Sequence, residues 1–278
     1  MNSYPVSSPD QQPVSPPQTT RVAMPASRPY MTYSIMGITI GFYLLQLLSV
    51  SLFGYANDAA QMDWLEFYGS KINELIRDGQ VWRLLTPVLL HASIPHILFN
   101  MYALLVIGVG LERYFGHWRY LLLYLLGGFT GNVLSFLFTS GYSVGASTAI
   151  FGLIGAEGVF LYQNRQLFGR QFGRAIGNVI FIVVVNLAID FVPGSGIDYW
   201  GHIGGLLGGL IFAWFAGPRW EVGAVYSPSS LQNTGQGMVP TAQLVDKREP
   251  REIITGAAIV ILIFSALAMV GMIYPITP

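Results

Sequence analysis

The sequence predicts an all-α protein, a polytopic membrane bundle with a six-span core and one further C-terminal span. Of its 278 residues, 53% are hydrophobic and only 10% carry a charge, whereas soluble domains average about 25% charged residues. Apolar runs long enough for a helix to cross a hydrocarbon core of about 30 Å recur along the chain. The first run, residues 33–52, is too long for the apolar part of a signal peptide, so it predicts a span that stays in the protein.

Charge and residue usage exclude several function classes. The formal net charge is zero, so the sequence lacks the basic footprint of a nucleic-acid-binding protein. The absence of cysteine excludes disulfides, thiolate metal sites and cysteine nucleophiles. Four histidines without an HExxH pattern do not favour a zinc site. We therefore expect no metal and no cofactor.

Seven apolar segments predict the order of the spans. Residues 1–28, rich in Pro, Ser and Gln, predict a disordered cytoplasmic tail. A core of six helices follows over residues 29–217. A Ser/Pro/Gln/Gly-rich flexible cytoplasmic linker over residues 218–252 then leads to a seventh transmembrane helix at 253–278. The predicted spans cover residues 33–52, 94–110, 120–138, 147–162, 175–192, 200–216 and 253–274.

The distribution of Lys and Arg predicts the orientation. With the N-terminal tail inside, most of these residues fall in the tail and in the connections after the second, fourth and sixth spans. Lys71, Arg77 and Arg83 then fall outside, in the polar connection 55–90. We therefore expect a multi-pass protein with the N-terminus in the cytoplasm and the C-terminus outside. In that orientation the second, fourth and sixth spans all start in the outer leaflet. A short, cysteine-free chain with a polar tail favours a bacterial inner membrane.

The stretch 145–152, Gly-Ala-Ser-Thr-Ala-Ile-Phe-Gly, opens the fourth span and places Ser147 near the start of a helix. Unpaired backbone N–H groups and the positive end of the helix dipole stabilise developing negative charge there. The pattern is not the GxSxG elbow of soluble hydrolases, because Ala149 stands at the second glycine position. Taken alone, such a serine more often bonds to its own backbone or joins two helices.

His202 opens the sixth span beside a stripe of small residues. Gly201, Gly205 and Gly209 fall on one helix face and allow another helix to approach closely. Without the histidine, this stripe would equally well indicate a packing interface alone. An imidazole inside the membrane needs a partner. We expect it to reach Ser147 as a general base if the fourth and sixth helices cross near their outer ends.

Three carboxylates lie near or within these spans. Asp190 and Asp198 lie near the outer ends of their helices, and we expect neither to touch His202, so a Ser–His dyad is the simpler prediction. Glu157 lies ten positions after Ser147, about 15 Å deeper along a helix. We expect it outside the chemistry, with an inner-leaflet hydrogen bond or a charge that reaches the cytoplasmic interface.

His91, His96 and Asn100 add polar groups at the start of the second span. His96 and Asn100 lie one helical turn apart on one face, where their side-chain donors would bind an oxyanion. The alternative is a hydrogen-bonded pair that joins two helices.

Taken together, these motifs resemble the rhomboid family of intramembrane serine proteases. The resemblance covers about residues 80–217, and the order and spacing of the short motifs make it specific. The motifs are Trp82-Arg83, His96-Ile97-Leu98-Phe99-Asn100, Gly110-Leu111-Glu112-Arg113, Gly145-Ala146-Ser147 with Phe151, and Gly201-His202 with Gly205 and Gly209.

The resemblance implies roles for single residues. Ser147 would be the nucleophile and His202 the base. The oxyanion hole and its support would come from His96, Asn100, the Ser147 backbone N–H, Gly145 and Phe151. Of these, Phe151 matches the aromatic residue that packs against the catalytic histidine. Family members need no cofactor and cut transmembrane helices of other membrane proteins near the outer face, with the substrate entering from the lipid.

The sequence departs from the family pattern in three places. Thr148 replaces the glycine that follows the nucleophile, and its larger side chain would narrow the site or shift the oxyanion geometry. Pro87 stands where some members carry another histidine. The seventh span is an addition that only part of the family shares.

The sequence thus predicts an intramembrane serine endopeptidase that acts on transmembrane protein substrates. The alternative is a catalytically inactive rhomboid-like protein that binds membrane clients, although such proteins usually lack the serine or the histidine. A transporter would need several intramembrane charges, and Glu157 is the one that qualifies.

Overall fold

The computed structural model describes residues 27–192, 196–225 and 241–274, which are mainly helical. In chain order the α-helices of this part are α1 (Tyr30–Phe53), α2 (Trp64–Gly69), α3 (Asn73–Arg77), α4 (Ile94–Ala103), α5 (Val109–Phe115), α6 (His117–Phe138), α7 (Ser147–Gln163), α8 (Arg165–Phe168), α9 (Phe172–Asp190), α10 (Tyr199–Ala216) and α11 (Pro250–Ile273). Tight 3-10 turns occupy Val81–Leu84, Thr86–Leu89 and Gly169–Gln171, and a π-helical turn, Leu104–Gly108, joins α4 to α5. The strands are β1 (Trp220–Val225) and β2 (Thr241–Asp246), which pair with each other.

The chain divides into two compact units. The larger one comprises Pro25–Glu221 with Val245–Pro278 and holds the helices, whereas the smaller one includes Val222–Leu244. Within the linker predicted at 218–252, β1 and β2 pair with each other, which differs in part from the expectation of a flexible segment. Apolar and β-branched residues, which favour strands, cluster in these two segments. The role of the linker as a flexible connection stays a prediction, and the predicted tail lies outside the described residues up to position 26.

The prediction of a polytopic helical bundle is confirmed. In the described chain, five helical segments are long and apolar enough to cross a membrane: Tyr30–Phe53, Ile94–Phe115, His117–Phe138, Arg165–Asp190 and Pro250–Ile273. They correspond to the predicted first, second, third, fifth and seventh spans. The predicted fourth and sixth spans correspond to α7 and α10, with 17 and 18 residues. These two helices are not among the five segments, so their crossing of the membrane stays a prediction.

Helices α6, α7 and α10 pack most closely, because glycines leave room where they meet. A Cβ at Gly205 of α10 would collide with the carbonyl oxygen of Thr148 in α7. One turn later, a Cβ at Gly209 would collide with the carbonyl oxygen of Gly152. On the other side of α10, a Cβ at Gly204 would lie 2.6 Å from a carbonyl oxygen of α6. The predicted glycine stripe is therefore a packing face that brings the start of α10 against the start of α7.

The Trp82-Arg83 motif organises the connection between α1 and α4. The Arg83 guanidinium is only 1% exposed and donates to the carbonyl oxygens of Ser70 and Phe67, both at 2.8 Å. The Trp82 indole N–H donates to the carbonyl oxygen of Tyr68 at 3.1 Å. Since a buried guanidinium requires acceptors for its N–H groups, these bonds fold the connection around it.

Lys71 ties the same connection to the loop that precedes α7. Its backbone exchanges two hydrogen bonds with Ser143, at 3.0 and 3.1 Å. Its buried ammonium group donates to the carbonyl oxygens of Thr139 at 2.9 Å and Gly141 at 2.5 Å. The connection between α1 and α4 therefore holds the loop that leads to Ser147.

Glu112, from the Gly-Leu-Glu-Arg motif, caps the start of α1. Its carboxylate is fully buried and accepts hydrogen bonds from the backbone N–H groups of Met31 at 2.8 Å and Thr32 at 2.7 Å. The His117 ring contacts the same carboxylate at 2.5 Å. A carboxylate accepts hydrogen bonds from the free N–H groups at a helix start and interacts favourably with the positive end of the helix dipole. This motif therefore has a structural role.

Helix α9 is the least covered of the long helices. In its most apolar stretch 6% of the residues are buried, against 72% for α6. Its buried residues are Val179 and Asp190. By contrast, α11 packs against α6 and α10 through one face, formed by Gly256, Val260, Phe264, Ala268 and Gly271.

Candidate active site

Ser147 is the first residue of α7, as predicted, and follows Ala146 at the cap position. The N–H groups of a first helical turn have no acceptor within the helix, so they are available to an anion. Gly145 has φ of 129°, a conformation that residues with a side chain rarely adopt. Its N–H donates to the Pro87 carbonyl oxygen at 2.9 Å, which fixes the chain just before the serine.

His202 meets Ser147 as the sequence predicts. Its Nε2 lies 2.8 Å from Ser147 Oγ, which is hydrogen-bond distance. The imidazole stacks on the Phe151 ring, with centroids 4.2 Å apart and planes inclined by 13°. His202 is only 7% exposed. The glycine contacts between α7 and α10 allow the approach that brings these side chains together.

A carboxylate contacts the other ring nitrogen, contrary to the expectation of a two-residue dyad. Asp190 Oδ2 lies 2.6 Å from His202 Nδ1, and Asp190 is 5% exposed. The expectation that Asp190 does not touch the imidazole is therefore wrong. The contact requires the end of α9 to lie against α10, and the sequence between the two helices does not determine that path. The available signal was a carboxylate at the end of an apolar span.

Asp198, the other carboxylate considered, caps α10. Its Oδ1 accepts hydrogen bonds from the backbone N–H of Gly201 at 3.0 Å and from the Thr139 hydroxyl at 2.7 Å. Aspartate is a favoured residue at the start of a helix for this reason. The contacts join the start of α10 to the end of α6, and so they support the helix that carries His202.

His96 and Asn100 lie on α4, and His96 faces Gly145, the residue before Ala146 and Ser147. A Cβ at Gly145 would stand 2.6 Å from His96 Nε2 and 3.6 Å from Ser147 Oγ. The missing side chain therefore keeps space open between the imidazole and the hydroxyl. Asn100 is 6% exposed, and its carboxamide makes no hydrogen bond to another described residue. Donors without another acceptor can bind an oxyanion.

His91 lies next to these donors and is almost fully buried, with 1% exposure. Its Nε2 accepts a hydrogen bond from the Ala146 N–H at 3.4 Å. Its ring meets that of His96 edge-on, with centroids 5.0 Å apart. Burial and then the His96 imidazole lower the pKa of His91 to about 3. The ring is therefore neutral at physiological pH, as an acceptor at Nε2 must be.

Thr148 packs between α6 and α10, and its effect on the space at Ser147 stays a prediction. It is 3% exposed. A Cβ at Gly131 of α6 would lie 2.5 Å from Thr148 Cβ, and a Cβ at Gly201 of α10 would lie 3.1 Å from its methyl group. The two glycines thus provide the room that the larger residue needs.

Glu157 makes no hydrogen bond or ion pair with another described residue. The expected inner-leaflet hydrogen bond is therefore absent from the described part of the chain, and a charge that reaches the interface stays a prediction. Within the same residues, no three His, Asp or Glu side chains are grouped so that they could hold a metal ion.

Comparison with known proteins identifies the family. The family model described as the rhomboid domain matches residues 78–219, more than half of the chain and all of the residues around Ser147. The chain belongs to the rhomboid family. Since five helices of the described part can cross a membrane, this rhomboid-family chain is an integral membrane protein.

Three curated relatives show the extent of the similarity. Rhomboid protease GluP of Bacillus subtilis (strain 168) is 43% identical over 172 residues, which cover 62% of this chain and 33% of GluP. The chloroplastic RHOMBOID-like protein 9 of Arabidopsis thaliana is 34% identical over 198 residues, or 67% of this chain and 45% of that protein. Rhomboid-like protease 1 of Toxoplasma gondii is 35% identical over 181 residues, which cover 63% of this chain and 61% of that protein. The chain thus spans less than two thirds of the length of each relative.

Proposed function

We propose that this rhomboid-family protein is an intramembrane serine endopeptidase that cleaves transmembrane helices of other membrane proteins near the outer face. The observation that carries the proposal is the 2.8 Å contact between Ser147 Oγ and His202 Nε2 at the start of α7. A nucleophile beside a base, at a helix end that favours negative charge, has the parts that acyl transfer needs. The names of two relatives, Rhomboid protease GluP and Rhomboid-like protease 1, support the same activity.

In the first chemical step, Ser147 Oγ attacks the carbonyl carbon of the scissile peptide while its proton passes to His202 Nε2. The carbonyl oxygen becomes an oxyanion. The donors for it are the backbone N–H of Ser147 and the side chains of His96 and Asn100. Removal of one such donor typically lowers kcat about 10²- to 10³-fold.

In the second step, the protonated His202 gives its proton to the leaving amine as the peptide C–N bond breaks. An ester on Ser147 remains. Water then attacks that ester while His202 Nε2 takes one of its protons. Collapse of the second tetrahedral intermediate releases the carboxylic acid product, which ionises in water, and His202 returns its proton to Ser147 Oγ. The sequence of steps uses only groups of the protein, the substrate and water.

The substrate of such an enzyme must unwind before it can react. A transmembrane helix hides its carbonyl groups in hydrogen bonds, so a cleavable segment needs residues that lower the cost of local unwinding. Glycine or proline near the outer end of the substrate helix would do so. The protein would lie in a bacterial inner membrane, and the Lys and Arg distribution supports an orientation with the N-terminus inside and the C-terminus outside.

The test uses the purified full chain in liposomes with a reporter membrane protein. We expect the wild type to cleave the reporter, and Ser147→Ala or His202→Ala to abolish cleavage. Ser34→Ala is the matched control, because Ser34 lies exposed on α1 and bonds only to the Tyr30 carbonyl oxygen within the described chain. Cleavage by Ser147→Ala would overturn the proposal. A wild-type Ser147 that fails to react with a fluorophosphonate probe would favour the inactive client-binding alternative.

A further inference from the structure

Asp190 makes a contact that a serine–histidine pair does not require. It is the last residue of α9, and its Oδ2 lies 2.6 Å from His202 Nδ1. Both side chains are buried, with side-chain exposures of 3% for Asp190 and 9% for His202. Burying a carboxylate at the end of a membrane helix costs free energy unless the group is well paired. The position therefore calls for a role in the chemistry of His202.

We propose that Asp190 is a positioning residue that converts the Ser147–His202 pair into a Ser–His–Asp triad. The inference rests on the proposed peptidase function. Asp190 accepts a hydrogen bond from Nδ1–H, so the neutral imidazole keeps its lone pair on Nε2. That nitrogen is the one 2.8 Å from Ser147 Oγ. In the other tautomer, Nε2 would donate to the hydroxyl and could not accept its proton.

The carboxylate has a second effect when the proton moves. Transfer from Ser147 to His202 creates an imidazolium in a site sheltered from water. A carboxylate at Nδ1 stabilises this ion. Asp190 touches the imidazole at Nδ1, on the side away from Ser147 Oγ, so it acts on the reaction through His202.

The remaining contacts of the ring separate this chemical role from simple packing. Phe151 stacks on the imidazole, and α10 is fixed by its glycine contacts with α7. The ring orientation is therefore held even without Asp190. What the carboxylate adds is the choice of tautomer and a charge, and both can be measured.

The location of Asp190 on α9 makes the triad sensitive to that helix. Ser147 and His202 lie on α7 and α10, which the glycine contacts hold together. Helix α9 is the least covered of the long helices, with 6% of its apolar stretch buried. A displacement of α9 would separate Asp190 Oδ2 from Nδ1 while the serine and the histidine stay in contact.

The kinetic test compares Asp190→Asn with Asp190→Ala in the liposome assay. In Asp190→Asn, the amide can donate to Nδ1 and hold the wrong tautomer. In this variant we expect kcat to fall about 10²- to 10⁴-fold with little change in KM. The loss of kcat in Asp190→Ala should be no larger than the loss in Asp190→Asn. Asp78→Asn is the matched control, because Asp78 is exposed in the connection between α1 and α4, so its kcat should stay close to that of the wild type.

A spectroscopic measurement tests the tautomer without any substrate. The chain contains four histidines, so ¹⁵N NMR of histidine-labelled protein can resolve His202 against the other three. For neutral His202 we expect the proton on Nδ1 in the wild type and a shift toward Nε2 in Asp190→Asn. A purely structural role for Asp190 would leave the tautomer unchanged.

The outcomes separate this inference from the proposed function. If the wild type cleaves and Ser147→Ala does not, but Asp190→Asn keeps wild-type kcat and tautomer, the triad is overturned and the peptidase stands. A much larger loss in Asp190→Ala than in Asp190→Asn, with an unchanged tautomer, would also overturn it in favour of packing. If the wild type does not cleave, the peptidase proposal fails, and the triad proposal fails with it.

Discussion

At the scale of single residues, Gly145 controls the space between the nucleophile and the oxyanion donors. Its φ of 129° is strained for any residue with a Cβ. Its Cα faces His96 so closely that a Cβ would stand 2.6 Å from Nε2. A glycine is therefore required for two reasons: the backbone conformation disfavours other residues, and a Cβ would collide with the His96 ring.

Gly145→Ala should consequently damage catalysis more than folding. The added methyl group displaces His96 or shifts the backbone before Ser147, and we expect kcat to fall about 10²-fold, the effect of losing one oxyanion donor. Gly141→Ala is the matched control in the same loop, because a Cβ there meets no atom within 4 Å. Liposome cleavage with both variants measures the difference, and equal activity of the two would contradict this role of Gly145.

At the scale of elements, the contact between α7 and α10 sets the distance between serine and histidine. Gly205 and Gly209 let α10 rest on carbonyl oxygens of α7, so the helix axes approach more closely than larger residues would permit. His202 lies three positions before Gly205 and thus moves with this contact. A change in the packing face is therefore transmitted to the 2.8 Å bond between Ser147 Oγ and His202 Nε2.

Gly205→Ala should lower stability and cleavage together. The new methyl group would collide with the Thr148 carbonyl oxygen, and overpacking of this kind costs about 1–3 kcal/mol. Gly177→Ala on α9 is the matched control, since its Cβ meets nothing within 4 Å and the change should alter the free energy of unfolding by less than about 1 kcal/mol. Thermal unfolding in detergent and the liposome assay test both, and an unchanged midpoint in Gly205→Ala would refute the close-packing argument.

At the scale of the whole molecule, the properties that could be predicted from sequence are those of single segments. Five spans were predictable because each depends only on the length and apolarity of its own segment. The meeting of Ser147 with His202 was also predictable, because the charge distribution predicts that both helix starts lie in one leaflet and each carries small residues. Such inferences need no knowledge of helix angles.

The contacts that could not be predicted from the sequence depend on the angles between helices. Asp190 reaches His202 only because α9 ends against α10, across a connection whose path is not encoded in an apolar pattern. Thr148 fits because Gly131, on another helix, leaves room for it. An apolar pattern in a single sequence does not give the angles between helices on which these two contacts depend.

The stability of the molecule also depends on a buried acidic pair in the connection between α1 and α4. Asp63 caps α2, and its carboxylate accepts hydrogen bonds from the backbone N–H groups of Leu65 and Glu66 at 2.7 and 3.0 Å. It also accepts one from Gln46 of α1 at 2.7 Å. Burial and then the Asp63 charge raise the pKa of Glu66 from its ordinary value of 4.5 to about 7.

The sign of the resulting pH dependence follows from proton counts. Between pH 4.5 and about 7, folded Glu66 holds a proton that the unfolded chain has released. The free energy of unfolding therefore falls as pH rises through this window. The stabilising contribution is complete below pH 4.5 and lost above about 7.

Glu66→Gln should remove this part of the pH dependence, because glutamine resembles the protonated acid and does not titrate. We expect the thermal midpoint of the wild type to fall relative to the variant as pH rises from about 5 to about 8. Glu74→Gln is the control, since Glu74 is exposed in the same connection and its replacement should leave the wild-type slope unchanged. Parallel pH profiles for wild type and Glu66→Gln would show that the buried acid does not hold its proton, and that the acidic pair must be stabilised through the Gln46 and backbone donors instead.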